Sequence, residues 1–171
     1  FYQELMHSIG AKSVLEIGYG HGGSLWFIGH ILQATGGGYV VGVDNNPSEK
    51  LPPFHRLESV RFLLDDGDAM DEETRKAVSR TRPCPFDLVV IDTGQPVLEK
   101  LELLRAWSPL VSPKGVIVLE DVTAPEFVEL EEQVSLELDR FLLDHPKFGI
   151  IPGARRFAVG KTMRAAYRRI E

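Results

Sequence analysis

Short apolar runs alternate along this chain with segments of helical spacing. Five such runs occupy residues 13–18, 39–43, 60–64, 86–91 and 116–119. Runs that are apolar throughout are typical of parallel strands buried on both faces. Parallel strands joined by helices require right-handed crossovers, which place helices on both sides of the sheet. The sequence therefore predicts a doubly wound α/β fold, formed as one domain over residues 1–171.

Capping residues indicate where the intervening helices begin. Ser24 and Asp71 can each act as an N-cap, because their side chains can accept a bond from the first turn. Pro96 suits the first turn of another helix, where its missing N–H costs nothing. A capping-box pattern at residues 123–126 precedes a long amphipathic helix, which is predicted to end near Leu143.

The carboxyl-terminal region departs from the parallel pattern. Residues 148–151 and 156–159 are short apolar stretches around a Pro-Gly turn, which predicts an antiparallel pair at one edge of the sheet. Residues 112–115 are predicted to form a turn that leads into the fifth strand. The basic residues beyond position 154 are interpreted as a solvated terminal helix, in preference to a surface for an acidic partner.

Composition excludes several classes of function. The formal net charge of -6 would repel a phosphate backbone, so we expect no nucleic-acid partner. No apolar segment approaches the roughly 20 residues that cross a bilayer, so we expect no membrane partner. The single cysteine, Cys84, cannot form an internal disulfide, which favours a reducing, cytoplasmic location. The chain starts at Phe1 without an initiator Met, which suggests that residues precede it, and a homo-oligomer remains open.

A glycine-rich segment follows the first apolar run. Residues 14–24 read VLEIGYGHGGS. Gly18-x-Gly20-x-x-Gly23 fits the fingerprint of a dinucleotide-binding loop, and Glu16-x-Gly18-x-Gly20-x-Gly22 fits the loop that holds the methionine end of S-adenosylmethionine. Both readings place a ligand at the start of the next helix.

Acidic residues follow each of the five apolar runs or lie close to its end. They are Glu16, Asp44, Asp68, Asp92 and the pair Glu120-Asp121. Because the carboxyl ends of parallel strands meet at one edge of the sheet, we expect these carboxylates to share a ligand crevice. Taken singly, each could be a loop acid or a helix cap, and Asp44 could simply form a turn with Asn45, Asn46 and Pro47.

Charge distinguishes the two candidate cofactors. A pyrophosphate at the amino terminus of the helix would be repelled by Glu16. S-adenosylmethionine carries an ammonium and a sulfonium, which a nearby carboxylate would attract. Asp44 could accept hydrogen bonds from a ribose under either reading, and Asp68 could receive an adenine amino group. The sequence favours S-adenosylmethionine, with a nicotinamide-dependent oxidoreductase as the alternative.

Five motifs taken in order resemble the class I S-adenosylmethionine-dependent methyltransferases. They are VLEIGYGHGGS, VVGVDNNP, GDA, FDLVVIDTG and GVIVLEDV, and they cover nearly the whole chain. The resemblance implies a Rossmann-like, seven-stranded sheet, mostly parallel with an antiparallel carboxyl-terminal edge. It also implies a set of cofactor-binding residues: Glu16, Gly18, Tyr19, Gly20, Ser24, Asp44, Asn45, Asp68, Ala69 and Asp92.

Within that class, the chain resembles the cephalosporin hydroxylase-like and macrolide-sugar O-methyltransferase group. The resemblance implies that Asp92, Glu120 and Asp121 bind Mg²⁺, and that the acceptor is a hydroxyl of a small molecule of natural-product or sugar type. An all-oxygen set of carboxylates independently favours a hard divalent cation. Consecutive residues of a regular strand point to opposite faces, so Glu120 and Asp121 can share one ion only if the strand turns there.

Gln95 departs from the pattern of these relatives. The macrolide-sugar enzymes have a histidine as general base three residues after the aspartate that corresponds to Asp92. Glutamine cannot take a proton at neutral pH. We therefore assign Asp92 and Gln95 to the catalytic corner and leave the base open, with His21 as a candidate by position. A non-catalytic S-adenosylmethionine-binding module remains a further alternative. Trp26, Phe27 and Trp107 are expected to pack in the core.

Overall fold

A seven-stranded mixed sheet forms the centre of the protein. The computed structural model describes residues 1–82, 84–123, 131–151 and 163–171. The strands are β1 (Ser13–Ile17), β2 (Gly38–Val43), β3 (Val60–Asp65), β4 (Phe86–Ile91), β5 (Val111–Thr123), β6 (Phe148–Ile150) and β7 (Met163–Arg169). Their order across the sheet is β3-β2-β1-β4-β5-β7-β6. The first five strands are parallel, and β7 pairs antiparallel with both β5 and β6, which confirms the predicted sheet and its carboxyl-terminal edge.

The described helices are α1 (Tyr2–Ile9), α2 (Gly23–Ala34), α3 (Glu72–Ser79), α4 (Val97–Trp107) and α5 (Glu131–Asp144). Asp71 caps α3 as predicted, because its side chain accepts a hydrogen bond from the Glu73 amide. Ser24 does not cap α2. That helix begins at Gly23, two residues earlier than a Ser24 cap would give, and Gly22, with a φ of 72°, precedes it without a capping side chain.

Apolar side chains fill both faces of the sheet. On one face, the core joins alternate strand residues to α3, α4 and α5, and it includes Leu15, Trp107 and Phe141. On the other face, α1 and α2 cover the intervening strand residues, such as Val14. Trp107 and Phe141 are both fully buried. The alternation follows from the two-residue repeat of a strand, and it leaves the carboxyl edge of the parallel strands for other contacts.

The carboxyl-terminal prediction needs two corrections. The strand paired with β6 is β7, at residues 163–169, whereas the predicted strand at 156–159 lies outside the described residues. Residues 163–169 are also not a solvated helix. Ala165 and Tyr167 are buried in the core of one face and Ala166 in the core of the other, a period of two that only a strand can produce. The capping box at 123–126 lies outside the side chains that the structure describes.

Residues 112–115 form a bulge within β5, where a turn before the strand was predicted. Phe86 pairs with Val111 and Leu88 with Val116, so the register shifts across the bulge. Lys114 adopts a φ of 68° there. The extra residues are accommodated inside one strand, which then continues to Thr123.

Candidate active site

The glycine turn after β1 lies against the carboxyl end of β4. Gly18 has a φ of 87°, and a Cβ at this position would lie 2.2 Å from the carbonyl oxygen of Asp92. The Gly18 amide donates to the Val43 carbonyl and the Asp92 amide donates to the Ile17 carbonyl, each at 2.8 Å. Only glycine combines this conformation with this close approach. The turn therefore joins the ends of three neighbouring strands.

Asp44 holds the glycine loop from the end of β2. Its Oδ2 accepts a hydrogen bond from the Gly20 amide at 2.7 Å. Its Oδ1 accepts from the Asn46 amide at 2.8 Å, which is the turn considered as the alternative for this residue. The same carboxylate thus makes a local turn and fixes the loop that follows β1.

A first cavity, of about 250 Å³, lies beyond the ends of β1, β2 and β4. Its lining residues are Ile17, Gly18, Val43, Asp44, Asn45, Asp68, Ala69, Thr93, Gly94 and Gln95. Five of the ten predicted cofactor residues therefore share one crevice. We call this space the nucleoside cavity.

A second cavity, of about 270 Å³, is lined by Tyr2, Glu16, Ser24, Phe27, Ile28, Val90, Asp92, Glu120 and Asp121. Glu16, which lines this second cavity, stands two residues before Gly18, which lines the nucleoside cavity. Four carboxylic acids and two aromatic rings meet in the second cavity. We call it the acidic cavity. Sequence analysis had assigned Glu16, Ser24 and Asp92 to the same set as Asp44, but they line this second space.

Tyr19 and Gly20 line neither of these cavities. The Tyr19 ring is only 3% exposed, and a Cβ on Gly42 would lie 2.7 Å from its Cδ1 atom. Burial, together with the negative charges of Asp66, Asp44 and Asp65, raises the pKa of the Tyr19 hydroxyl to about 12. The Tyr19 ring thus belongs to the core below the loop, and Gly20 contributes through its bond to Asp44.

Glu16 is a buried acid in a negative environment. It is 1% exposed, and its Oε2 atom has no hydrogen-bond partner. Burial raises its pKa to about 8, against a lowering by the Ser24 side chain, and the charges of Asp92, Glu120 and Asp44 add to the rise. At neutral pH this carboxyl therefore keeps its proton. A cation placed beside it would reverse that preference.

The end of β5 is irregular, which answers how two consecutive acids can face one cavity. The parallel pairing with β4 ends at Leu119, and the pairing with β7 shifts between Leu119 and Thr123. Asp121 has a φ of 52°, outside the range of a regular strand. Because the strand alternation is broken here, Glu120 and Asp121 both line the acidic cavity.

The chemistry of the acidic cavity fits a hard divalent cation. Its acidic lining residues offer only carboxylate oxygens as metal ligands, and their negative charges repel one another. The positions of the side chains do not form a metal site as they stand. Among residues 1–82, 84–123, 131–151 and 163–171, no three His, Cys, Asp or Glu side chains are close enough to share one ion. The Tyr2 hydroxyl donates a hydrogen bond to Oε1 of Glu120, so α1 already engages this carboxylate.

Two residues of α4 reach the site although sequence analysis did not assign them to it. Trp107 Nε1 donates to the Ala69 carbonyl at 3.1 Å, which ties α4 to the loop after β3. Lys100 is 3% exposed, and its Nζ donates to the Glu120 carbonyl at 3.2 Å. Lys100 lies four residues before Leu104 and seven before Trp107. This spacing places a charged residue on the buried face of the helix and could have indicated its role.

The aromatic expectations are met in part. Trp107 is in the core, as expected, whereas Phe27 is 51% exposed and lines the acidic cavity. Gln95 lines the nucleoside cavity, with a buried Oε1 that lacks a hydrogen-bond partner, and His21 is exposed.

Comparison with known proteins assigns the chain to a family. A family model described as a methyltransferase domain matches residues 15–122. This span includes the glycine turn, most of β5 and the acidic residues at the strand ends that line the two cavities. The chain therefore belongs to this methyltransferase-domain family, which confirms the class inferred from the ordered motifs. No curated protein sequence matches the chain.

Solved structures share the fold over almost the whole chain. A CmcI structure with Mg and SAM has a TM-score of 0.74 at 19% identity, over 99% of this chain and 69% of CmcI. The MycE methyltransferase from the mycinamycin biosynthetic pathway, in complex with Mg, SAH and mycinamycin VI, has a TM-score of 0.68 at 23% identity. The match covers 97% of this chain but only 47% of MycE, so the chain spans about half the length of that relative.

A third neighbour is the O-methyltransferase TomG from Streptomyces achromogenes, involved in tomaymycin synthesis and solved in complex with SAM. Its TM-score is 0.68 at 19% identity, over 99% of this chain and 78% of TomG. At these identities the likeness establishes the fold, which is the one implied by the resemblance to the cephalosporin hydroxylase-like group.

Proposed function

We propose that this protein transfers a methyl group from S-adenosylmethionine to a hydroxyl oxygen of a small molecule. One observation carries the proposal above the others. Two cavities lie at the carboxyl edge of the sheet, one lined by Asp44, Asp68 and Ala69, the other lined by acids that include the buried Glu16. A neutral nucleoside suits the first space, and a cationic methionine end suits the border with the second.

The nucleoside cavity suits S-adenosylmethionine through chemically distinct groups. Asp44 would accept from the ribose hydroxyls, since its carboxylate retains lone pairs beyond the two backbone bonds that it accepts. Asp68 and Ala69 would receive the adenine, with Asn45 beside the ribose. Glu16 would ionise against the ligand ammonium, because an adjacent positive charge offsets its desolvation. Gly18, Gly20 and Ser24, in and after the turn that follows β1, would lie beside the methionine end of the ligand.

The acidic cavity suits the acceptor. Methyl transfer forms an oxygen–carbon bond as the sulfur–carbon bond breaks, and it leaves S-adenosylhomocysteine and a proton. Asp92 lines the acidic cavity while its chain neighbour Thr93 lines the nucleoside cavity, and Tyr2 and Phe27 offer apolar ring surface to an acceptor. Gln95 cannot accept the proton but can orient a hydroxyl through its amide. MycE was solved with mycinamycin VI and TomG is involved in tomaymycin synthesis, which supports an acceptor of natural-product type.

Metal assistance is the second part of the proposal. Asp92, Glu120 and Asp121 would hold Mg²⁺, and CmcI and MycE were solved with Mg. A divalent cation bound there would lower the pKa of an acceptor hydroxyl. Glu120 accepts the bond from Tyr2 on Oε1, and its second carboxylate oxygen could bind the ion while that bond is kept.

Calorimetric titration with S-adenosylhomocysteine and with NADH tests the cofactor. We expect the first to bind and the second not to bind, because a pyrophosphate would meet the carboxylates of Asp44 and Asp92 near the glycine turn. Binding of NADH alone would contradict the proposal and favour an oxidoreductase. Binding of S-adenosylhomocysteine without methyl transfer to any hydroxyl compound tested would favour the non-catalytic module.

Chelation tests the metal. Transfer of labelled methyl groups should stop in EDTA and return with Mg²⁺, and Asp121→Ala should abolish it while S-adenosylhomocysteine affinity is kept. Full activity in chelator would refute the metal role. Gln95→His should raise the rate near neutral pH, because it supplies a titratable base at the position where the relatives have one.

The half-buried, single Cys84 supports a reducing cytoplasmic setting as part of the proposal. None of the helices in the described part of the chain is long and apolar enough to cross a membrane.

A further inference from the structure

Lys100 is a buried cation whose position the proposed chemistry does not explain. Its side chain is 3% exposed and lies among the apolar residues of α4, including the fully buried Leu103 and Leu104. Burying an ammonium is costly unless a specific partner compensates it. The partner is the carbonyl of Glu120, twenty residues away in the chain, at 3.2 Å from Nζ.

That carbonyl belongs to the irregular end of β5. Regular pairing with β4 stops at Leu119, and pairing with β7 resumes only at Thr123. A buried backbone carbonyl that leaves a sheet ladder needs another donor. The Lys100 ammonium supplies one at the peptide that links Glu120 to Asp121.

The conformation of this peptide decides which side chains reach the acidic cavity. Asp121 has a φ of 52°, a left-handed conformation that costs a non-glycine residue free energy and persists only when its surroundings hold it. With regular strand geometry at this point, Glu120 and Asp121 would point to opposite faces. The observed conformation brings both to one cavity.

We propose that Lys100 is a positioning residue, which holds the Glu120–Asp121 peptide in its irregular conformation and so keeps both carboxylates on the acceptor side of the site. The significance of those carboxylates rests on the proposed function. The role of Lys100 itself rests on the backbone geometry of β5. Without its ammonium, the peptide would lose a buried donor and Asp121 would relax toward the strand region of backbone space.

Lys100→Met is the primary test, because methionine keeps an unbranched stem of similar length and removes the donors and the charge. Lys76→Met is the matched control, since Lys76 is an exposed lysine of α3 that pairs with Glu72 and Glu73. Lys100→Arg restores a charged donor. Amide hydrogen exchange followed by mass spectrometry, read on peptides covering residues 116–123 and 14–22, reports the two segments separately.

We expect Lys100→Met to speed exchange at residues 118–123 by about tenfold or more, with no change over residues 14–22. Lys76→Met should match the wild type, and Lys100→Arg should restore protection at least in part. Mn²⁺ affinity, read from the electron paramagnetic resonance signal of the free ion, should fall in Lys100→Met while S-adenosylhomocysteine affinity is retained. A residue with a merely structural role would weaken both ligands together.

Unchanged exchange at residues 118–123 in a folded Lys100→Met protein would overturn the proposal. If Lys100→Met does not fold, Lys100→Gln takes its place in the same measurement. Its side chain is one atom shorter and uncharged, so the same faster exchange at residues 118–123 is expected, and unchanged exchange would overturn the proposal. Failure of the wild type to bind Mn²⁺ would refute the metal part of the proposed function. The exchange data would still decide the role of Lys100, so the two failures can be told apart.

Discussion

Glu16 combines burial with negative neighbours, and this combination makes the folded protein sensitive to pH. Its pKa of about 8 in the folded protein stands above the 4.5 of an ordinary glutamate. Folding therefore favours the protonated form. The contribution of Glu16 to stability is fully present below about pH 4.5, declines as the pH rises, and is lost once the pH has passed through about 8.

Glu16→Gln should remove this pH dependence. The wild type should lose up to about 1.4 kcal/mol of unfolding free energy per pH unit between pH 5 and 8 relative to the variant, because glutamine cannot ionise. Urea unfolding of both proteins at pH 5, 6.5 and 8 measures the difference. The exposed Glu73→Gln is the control. Parallel pH profiles for Glu16→Gln and the wild type would contradict the raised pKa of Glu16.

Asp44 should contribute to ligand affinity and to the order of the glycine loop. Asp44→Ala removes the acceptor of the Gly20 and Asn46 amides, and it should weaken S-adenosylhomocysteine binding by about 1–3 kcal/mol. Asp44→Asn keeps one acceptor oxygen and should fall between the alanine variant and the wild type. Calorimetry provides the affinities, and equal affinity for all three proteins would remove Asp44 from the proposed site.

Helix α4 contacts both the end of β5, which lines the acidic cavity, and the loop after β3, which lines the nucleoside cavity. Lys100, near its amino end, contacts the end of β5, and Trp107, at its carboxyl end, contacts the loop after β3. That loop also makes its own turns, since Gly67 donates to Asp65 and Met70 donates to Asp68. The bond from Trp107 differs because it crosses from another element, so it fixes the loop relative to the nucleoside cavity.

Trp107→Phe keeps an aromatic ring in the core and removes the N–H donor. We expect it to weaken S-adenosylhomocysteine binding by about 0.5–1.5 kcal/mol, the contribution of one hydrogen bond. S-inosylhomocysteine, which lacks the adenine amino group, should be affected less if the loop recognises that group. Trp26→Phe provides the control, as Trp26 has no bond to this loop. Equal losses for both ligands would indicate a general loss of packing.

The molecule as a whole depends on a sheet that is covered on both faces. Strand β7 stands between β5 and β6 and contributes Ala165 and Tyr167 to one core and Ala166 to the other. It also brings Arg169, whose Nη1 donates to the Val111 carbonyl at 2.6 Å. Strand β7 is therefore part of the core structure.

Removal of residues 163–171 should abolish stable folding. It would leave β5 as an apolar edge strand and β6 without its paired neighbour, and an uncovered apolar edge promotes aggregation. Removal of the exposed Glu171 alone should leave the melting temperature nearly unchanged. Circular dichroism and size-exclusion chromatography measure both outcomes. A monomeric, cooperatively melting protein without β7 would show that this edge is dispensable.

Local sequence patterns were sufficient for the parallel half of the sheet. The apolar runs became β1 to β5 within one or two residues of their predicted bounds, apart from β5, which extends further at both ends. Asp44, Asp68 and Asp92 could be placed at one edge because parallel strands bring their carboxyl ends together whatever fills the core. Periodicity and order along the chain carry this information without knowledge of distant contacts.

Tertiary structure alone decided the features that depend on residues far apart in the chain. Residues 163–169 form a strand because β5 offers them a partner and both faces offer apolar cover, although their basic composition favours an exposed helix. Glu16 has a raised pKa because packing buries it, and the carboxyl groups at three other strand ends add to the rise. Lys100 meets Glu120 because a bulged strand exposes a carbonyl to a helix that begins twenty-three residues earlier in the chain. The burial of these residues, the protonation state of Glu16 and the irregular end of β5 arise only when these elements pack, so no local sequence pattern predicts them.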